Sequence, residues 1–284
     1  MLTGWRFAGR SFSFVWGNKG ILAIVVLSFI AMLALPVSYL PLLGDAIRSS
    51  EAGLSFKVTS FSELNPQKIK ALIMFASFSM AYSLLTIFSY VWISHYTWDS
   101  LKHKWSSLGR SFVGAEESLL SICLWSVLIL LGNILMSFVD INSLIPLVSV
   151  PVAVAIFVVL VFLIFVSLMA FPIIAVERCN PLKVLFRSVN TVFFRFGDIL
   201  LGELRIILTG FLMSLLIIPF IILSIAFPFA VFIAGGIIIF VVLMFTTAAL
   251  YVFMTFIYYY ERERRGLKVY EVLGLERYIL REEA

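Results

Sequence analysis

Charged side chains are scarce in this sequence: they account for only 13% of the 284 residues, whereas 62% are hydrophobic. A soluble domain of this size cannot bury so much apolar surface in one core. The composition therefore excludes an ordinary soluble domain and predicts that a lipid bilayer is the main solvent of the chain. The net charge of +5 does not indicate nucleic acid, because the basic residues lie in short segments between apolar stretches. A membrane surface is the expected anionic partner.

Cysteine and histidine, which build disulfide frameworks and many metal sites, occur only twice each. Cys123 lies within an apolar stretch and Cys179 lies in a basic segment, so no disulfide framework is indicated. His95 and His103 have no cysteine nearby and only Asp99 as a close carboxylate, which makes a metal site a poor interpretation. We predict no metal and no other cofactor.

Long apolar stretches are abundant, and six of them reach the roughly 20 residues that a helix needs to cross the hydrocarbon core. They are continuously apolar, which is typical of transmembrane helices and not of β-barrel strands. We predict an all-α polytopic membrane protein, with a six-helix transmembrane domain over residues 1–258 and a cytoplasmic amphipathic tail over 259–284. The predicted spans are 20–43, 69–96, 119–139, 151–175, 203–226 and 229–258.

Basic residues are distributed unevenly between the two sides that six spans define. Of the 21 Lys and Arg residues, only Arg48, Lys57, Lys68 and Lys70 fall on one side, and the other seventeen fall on the side of the two termini. Because Lys and Arg favour cytoplasmic loops, both termini are predicted to be cytoplasmic. The expected location is the plasma membrane.

Three stretches of the sequence share a layout that predicts an internal threefold pattern. Each holds an Arg-Ser pair about ten residues before a transmembrane stretch, and two predicted spans follow each pair. The pairs are Arg10-Ser11, Arg110-Ser111 and Arg187-Ser188. We therefore predict three helical hairpins, each preceded by a cytoplasmic amphipathic helix that lies in the membrane interface.

The third copy shows the amphipathic pattern most clearly. Asn180 is a suitable N-cap with Pro181 at the first helical position, and apolar residues follow at helical spacing. These apolar residues are Leu182, Leu185, Phe186, Val189, Val192, Phe193 and Phe196. Cations in the interfacial segments are candidates for binding lipid headgroups, although a helix that only anchors and orients its hairpin is the favoured explanation, because clustered cations are weak evidence for lipid selectivity. The candidates are Arg10, Arg110, Lys183, Arg187 and Arg195.

The segments "GWRFAGRSFSFVWGNKGIL" and "FPIIAVERCNPLKVLFRSVNTVFFRFGDILLGEL" carry a family resemblance. The second contains a span that runs into Val176-Glu177, then Pro181 and the pair Arg187-Ser188. With these motifs the chain resembles a group of uncharacterised six-span membrane proteins of archaea and bacteria, which is similar to the membrane domain that accompanies some glycerophosphodiester phosphodiesterases. The resemblance implies a fold and brings no assigned chemistry.

A polar stripe in the second predicted span suggests one alternative function. Ser79, Ser83, Thr86 and Tyr90 follow helical steps of four, three and four, which places them on one face. A channel or carrier for lipids or small neutral solutes would use such a stripe as its path. Hydroxyl groups of this kind more often bond across a helix interface, so packing is the other interpretation.

Catalysis would require clustered acids, bases or nucleophiles, and the interiors of the predicted spans contain no ionisable Asp, Glu, Lys, Arg or His. An enzyme acting on lipid headgroups would need Glu177, Asp198 or Glu203 to converge. We predict instead a non-enzymatic membrane scaffold or assembly subunit. Its expected partners are membrane lipids, further copies of the chain or another membrane protein, contacted through the cytoplasmic interfacial helices.

Overall fold

The computed structural model describes residues 2–49, 66–103, 106–137, 150–177, 181–215, 218 and 228–272. Over these residues the chain forms eight α-helices and no strand, which confirms the all-α prediction. The helices are α1 (Leu2–Gly17), α2 (Lys19–Ser49), α3 (Pro66–His103), α4 (Leu108–Glu116), α5 (Leu119–Ser137), α6 (Val150–Glu177), α7 (Pro181–Ser214) and α8 (Pro228–Val272).

Four of these helices are long and apolar enough to cross a membrane. The apolar segments are Lys19–Tyr39 in α2, Ala76–Lys102 in α3, Ile156–Glu177 in α6 and Gly235–Arg264 in α8. A fifth candidate arises if α4 and the following Leu119–Leu131, which meet at 62°, form one bent span. The described part of the chain therefore contains four to five candidate membrane-spanning helices, each overlapping a stretch that was predicted from the sequence.

The third copy differs from the prediction, because its amphipathic segment and the start of its first span form one helix. α7 begins at Pro181, as the capping pattern predicted, and runs without a break to Ser214. No break therefore separates the predicted interfacial segment from the span at 203–226, and its location in the membrane interface stays a prediction. Val192, Ile199 and Ile206 recur every seven residues and are all buried, so one continuous helix keeps a single face against the protein. Asn180 and most of 216–227 lie outside the described residues.

The predicted boundary at residue 258 falls inside a helix. α8 is 45 residues long and continues past this position to Val272. The first half of the predicted tail thus extends the last span, because no glycine or proline interrupts the chain between 237 and 265. Residues 273–284 lie outside the described part of the chain.

Packing between the helices follows a repeating scheme. The second predicted spans of the three sequence copies lie in α3, α6 and α8. These three helices all pack against one another. α4 packs on α3, and α7 packs on α6, so each amphipathic segment contacts the second helix of the preceding copy. α1 packs on α8 and on α7, which both belong to the third copy.

The serines of the Arg-Ser pairs occupy similar environments in the three copies. Each serine, together with the residue four positions later, is fully buried. These residues are Ser11 and Val15, Ser111 and Ala115, and Ser188 and Val192, all 0% exposed. The small serine side chains let each amphipathic segment approach its neighbours closely, as is usual between membrane helices.

Candidate functional site

The carboxylate at the end of α6 fixes the beginning of α7. Glu177 forms an ion pair with Arg187 and accepts a hydrogen bond from the hydroxyl of Tyr258 in α8. Glu177 is mostly buried, whereas the Arg187 side chain is 40% exposed. The arginine of the third Arg-Ser pair is therefore neutralised by the last residue of the preceding span.

A second charged cluster joins α7 to α8. The Nε of Arg195 donates to Oε2 of Glu261 at 2.7 Å, and its Nη1 lies 3.4 Å from Oδ2 of Asp198. The guanidinium also lies 5.1 Å from the centre of the Tyr260 ring, within the range of a cation–π contact. Burial alone would lower the pKa of Arg195, but the hydrogen bond and charge of Glu261, with Asp198, raise it. Arg195 is thus a permanently charged internal bridge.

The N-terminal helix docks on α7 through its backbone. The amide of Gly4 donates to Oδ1 of Asp198 at 3.2 Å. Arg205 donates from Nη1 to the carbonyl oxygen of Trp5 at 2.6 Å, and its guanidinium lies 5.0 Å from the centre of the indole ring. A side chain on Gly4 would collide with the backbone of Asp198. Glycine at this position therefore allows the close approach of the two helices.

The five candidate headgroup cations fall into two groups. Arg187 and Arg195 are paired with carboxylates of the protein itself. Arg10, Arg110 and Lys183 are exposed. The second group can meet lipid phosphates without breaking a contact within the described structure. The division into paired and exposed cations depends on the positions of Glu177 and Glu261 relative to the arginines. No local sequence pattern reveals these positions.

A cleft of about 580 Å³ opens where α4 packs against α3 and the end of α6. His95, Trp98 and Asp99 line it from α3, Arg110 and Val113 line it from α4, and Glu117 follows α4. Ala175 and Val176 of α6 complete the wall. The volume is within the range of small-molecule sites in proteins. The sequence singled out His95 and Arg110 separately, and the helix packing brings them into one cleft.

The floor of this cleft is a histidine–aspartate pair. Nδ1 of His95 lies 3.5 Å from Oδ2 of Asp99, and both side chains are mostly buried. Any side chain on Gly114 would collide with the imidazole of His95, so α4 rests directly on the histidine. Arg110 is exposed above this pair, and within the described structure its guanidinium forms no ion pair. His103 ends α3, and its side chain lies outside the described residues.

The hydroxyl stripe of α3 lies away from the cleft. Ser79, Ser83, Thr86 and Tyr90 are all half-buried. The hydroxyl of Thr86 donates to a carbonyl oxygen of its own helix at 2.7 Å. The Tyr90 ring stacks on Tyr251 of α8 with ring centres 3.6 Å apart, which is a packing contact between spans. A polar path along this stripe stays a prediction.

The carboxylates that an enzyme would need have different partners. Glu177 is held by Arg187 and Tyr258, whereas Asp198 is held by the amide of Gly4 and by Arg195. Glu203 lies half-buried further along α7. Among the described residues, no three His, Cys, Asp or Glu side chains are grouped so that they could hold a metal ion. Glu177, Asp198 and Glu203 therefore do not share one site in the described structure, whereas an enzyme acting on lipid headgroups would need them to converge.

Comparison with protein-family models, with curated proteins and with solved structures gives no significant match. The family resemblance of the Arg-Ser segments stays a prediction.

Proposed function

We propose that this protein is a plasma-membrane scaffold or assembly subunit with six transmembrane helices, both termini in the cytoplasm and no catalytic activity of its own. Its cytoplasmic interfacial segments bind lipid headgroups and hold partner subunits in place. The fifth span in this proposal, at 203–226, is the second half of α7 together with the residues that follow it. The seventeen-to-four distribution of basic residues supports the orientation.

The orientation of side chains on α7 is the observation that carries this proposal. Val184, Ser188 and Val192 are 0% exposed and face the protein. The bulky apolar residues of the same helix face outward, and Leu182, Phe186 and Phe193 are 65%, 73% and 72% exposed. Exposure of such an apolar surface to water is unfavourable, whereas the acyl boundary of a bilayer or a partner helix would cover it.

The packing scheme supports three repeated hairpins around a common centre. α3, α6 and α8 pack against one another, and each amphipathic segment contacts the second helix of the preceding copy. With three such hairpins, the beginnings of α1, α4 and α7 would lie at one end of the molecule. The exposed cations Arg10, Arg110 and Lys183 then form a basic rim at the level of the lipid phosphates.

Removal of rim cations is expected to weaken the retention of anionic lipid. The double variant Arg10→Gln/Lys183→Gln should lower the affinity for an anionic phospholipid by about thirtyfold, since each surface cation contributes about 1 kcal/mol to such binding. Native mass spectrometry of the full chain, titrated with phosphatidylglycerol in nanodiscs, measures this. The matched control is Arg10→Lys/Lys183→Arg, which keeps both charges.

Two outcomes of the same spectra decide the scaffold proposal. A defined closed oligomer or a stoichiometric partner supports it. A monomer that retains neither partner nor anionic lipid, and whose lipid binding is the same in the Gln and the charge-conserving variants, contradicts it.

A further inference from the structure

The arginine of the Arg-Ser pair meets the preceding span differently in the second and third copies. In the third copy, Arg187 is paired with Glu177 at the end of α6. In the second copy, Arg110 of α4 and Asp99 near the end of α3 are eleven residues apart, which is close to the ten residues between Glu177 and Arg187. Both line the cleft, but no ion pair joins them, and Asp99 instead lies next to His95. An ion pair that closes the third copy is thus replaced by an open cleft in the second.

The charges of the cleft define the ligand that would fill it. Arg110 supplies a cation at one side, whereas Asp99 and Glu117 supply carboxylates. A ligand with one anionic and one cationic group would complete the missing ion pair at both ends. Guanidinium groups bind phosphate with two parallel hydrogen bonds, and carboxylates accept hydrogen bonds from an ammonium group.

The aromatic wall favours a primary ammonium over a quaternary one. Quaternary ammonium groups are bound by the faces of aromatic rings. Trp98 lines the cleft, but the guanidinium of Arg262 already lies 5.1 Å from the centre of its ring. Asp99 remains as the ammonium ligand, and its carboxylate requires an N–H donor.

The surroundings of the cleft point to a lipid as the source of this headgroup. Val113 lines the cleft and is 51% exposed, and the neighbouring Phe112 and Leu120 are also exposed apolar residues. These side chains continue the cleft onto the outer surface of α4 and α5, where acyl chains would lie. We propose that the cleft binds the headgroup of an aminophospholipid, with its phosphate on Arg110 and its primary ammonium on Asp99. The proposal rests on the membrane placement given under the proposed function.

Lipid titrations of the full chain in detergent, followed by native mass spectrometry, test this proposal. Wild type should bind a short-chain phosphatidylethanolamine about tenfold more tightly than the phosphatidylcholine of the same chain length, because only the former donates hydrogen bonds to the carboxylates. Arg110→Gln and Asp99→Asn should each reduce the phosphatidylethanolamine affinity about tenfold. Val113→Trp, at an exposed position, should block the cleft and abolish the preference.

Arg6→Gln is the matched control, since Arg6 is an exposed cation on α1 that belongs neither to the basic rim nor to the lining of the cleft. It should leave phosphatidylethanolamine binding unchanged. Unchanged binding in both Arg110→Gln and Val113→Trp would overturn the proposal. If soluble glycerophosphoethanolamine displaced the lipid at equal concentration, the two compounds would have the same affinity and the acyl chains would contribute nothing. This result would overturn the assignment of the ligand as a lipid.

These experiments test the cleft proposal and the basic-rim proposal independently. If the Arg10→Gln/Lys183→Gln variant keeps its anionic lipid while Arg110→Gln loses phosphatidylethanolamine, the rim is wrong and the cleft is supported. The reverse result supports the rim and overturns the cleft.

Discussion

Arg195→Met lowers the free energy of unfolding by about 3–5 kcal/mol, the usual cost of removing one partner from a buried ion pair. The Arg195 side chain is only 12% exposed and bridges Glu261 and Asp198 between α8 and α7. Methionine keeps much of the apolar volume but leaves two mostly buried carboxylates next to each other. Their mutual repulsion would add to the loss of the cation–π contact with Tyr260.

Thermal unfolding in detergent at pH 7, read by tryptophan fluorescence, measures the effect. The double variant Arg195→Met/Glu261→Gln should recover a large part of the stability, because it removes one of the orphaned charges. Arg187→Met is the matched control, since the Arg187 side chain is 40% exposed and the mostly buried Glu177 keeps its hydrogen bond from Tyr258, so the loss should be only about 1 kcal/mol. Equal losses in the Arg195 and Arg187 single variants would contradict the internal-bridge interpretation.

Gly4→Ala is expected to release α1 from α7 at a cost of about 3 kcal/mol, the upper range for overpacking a tight contact. The added methyl group would collide with the backbone of Asp198, which cannot rotate away as a side chain can. The same movement would break the hydrogen bond from the Gly4 amide to Asp198. It would also break the bond from Arg205 to Trp5, which is one residue further along α1.

Hydrogen exchange distinguishes the local release of α1 from global unfolding. Amides of α1 should lose protection in Gly4→Ala, whereas those of α3 and α6 should keep it. Gly17→Ala is the matched control on the same helix, because a methyl group there meets no atom within 4 Å. An alanine at Gly17 should be neutral or slightly stabilising. Unchanged exchange of α1 in Gly4→Ala would show that α1 does not depend on the contact with Asp198.

Local patterns in the sequence were sufficient to locate most of the helices. The predicted spans at 20–43, 69–96, 151–175 and 229–258 all lie within helices of the structure. Apolar length is a property of a short stretch, and only a helix satisfies the backbone of such a stretch in lipid. The start of α7 at Pro181 is equally local, because proline fixes the backbone angle of the first helical turn.

Helix ends were harder to predict where no residue interrupts the chain. The sequence suggested an interfacial helix before the span at 203–226, and a tail after residue 258. Both boundaries fall inside continuous helices, α7 and α8. A change in polarity marks a change of environment along a helix, but it does not end the hydrogen-bond ladder. The continued burial of one face across the change keeps α7 helical.

The sequence by itself determined that this is an all-helical, membrane-type chain with cations gathered next to its amphipathic segments. Only the tertiary structure decided which of those cations are available. Arg195 meets Glu261, 66 residues away, whereas Arg110 faces a cleft shared with His95 and Asp99. The physical reason is that an ion pair depends on the distance between two side chains, and helix packing sets that distance. The same Arg-Ser motif therefore has different electrostatic environments in different copies.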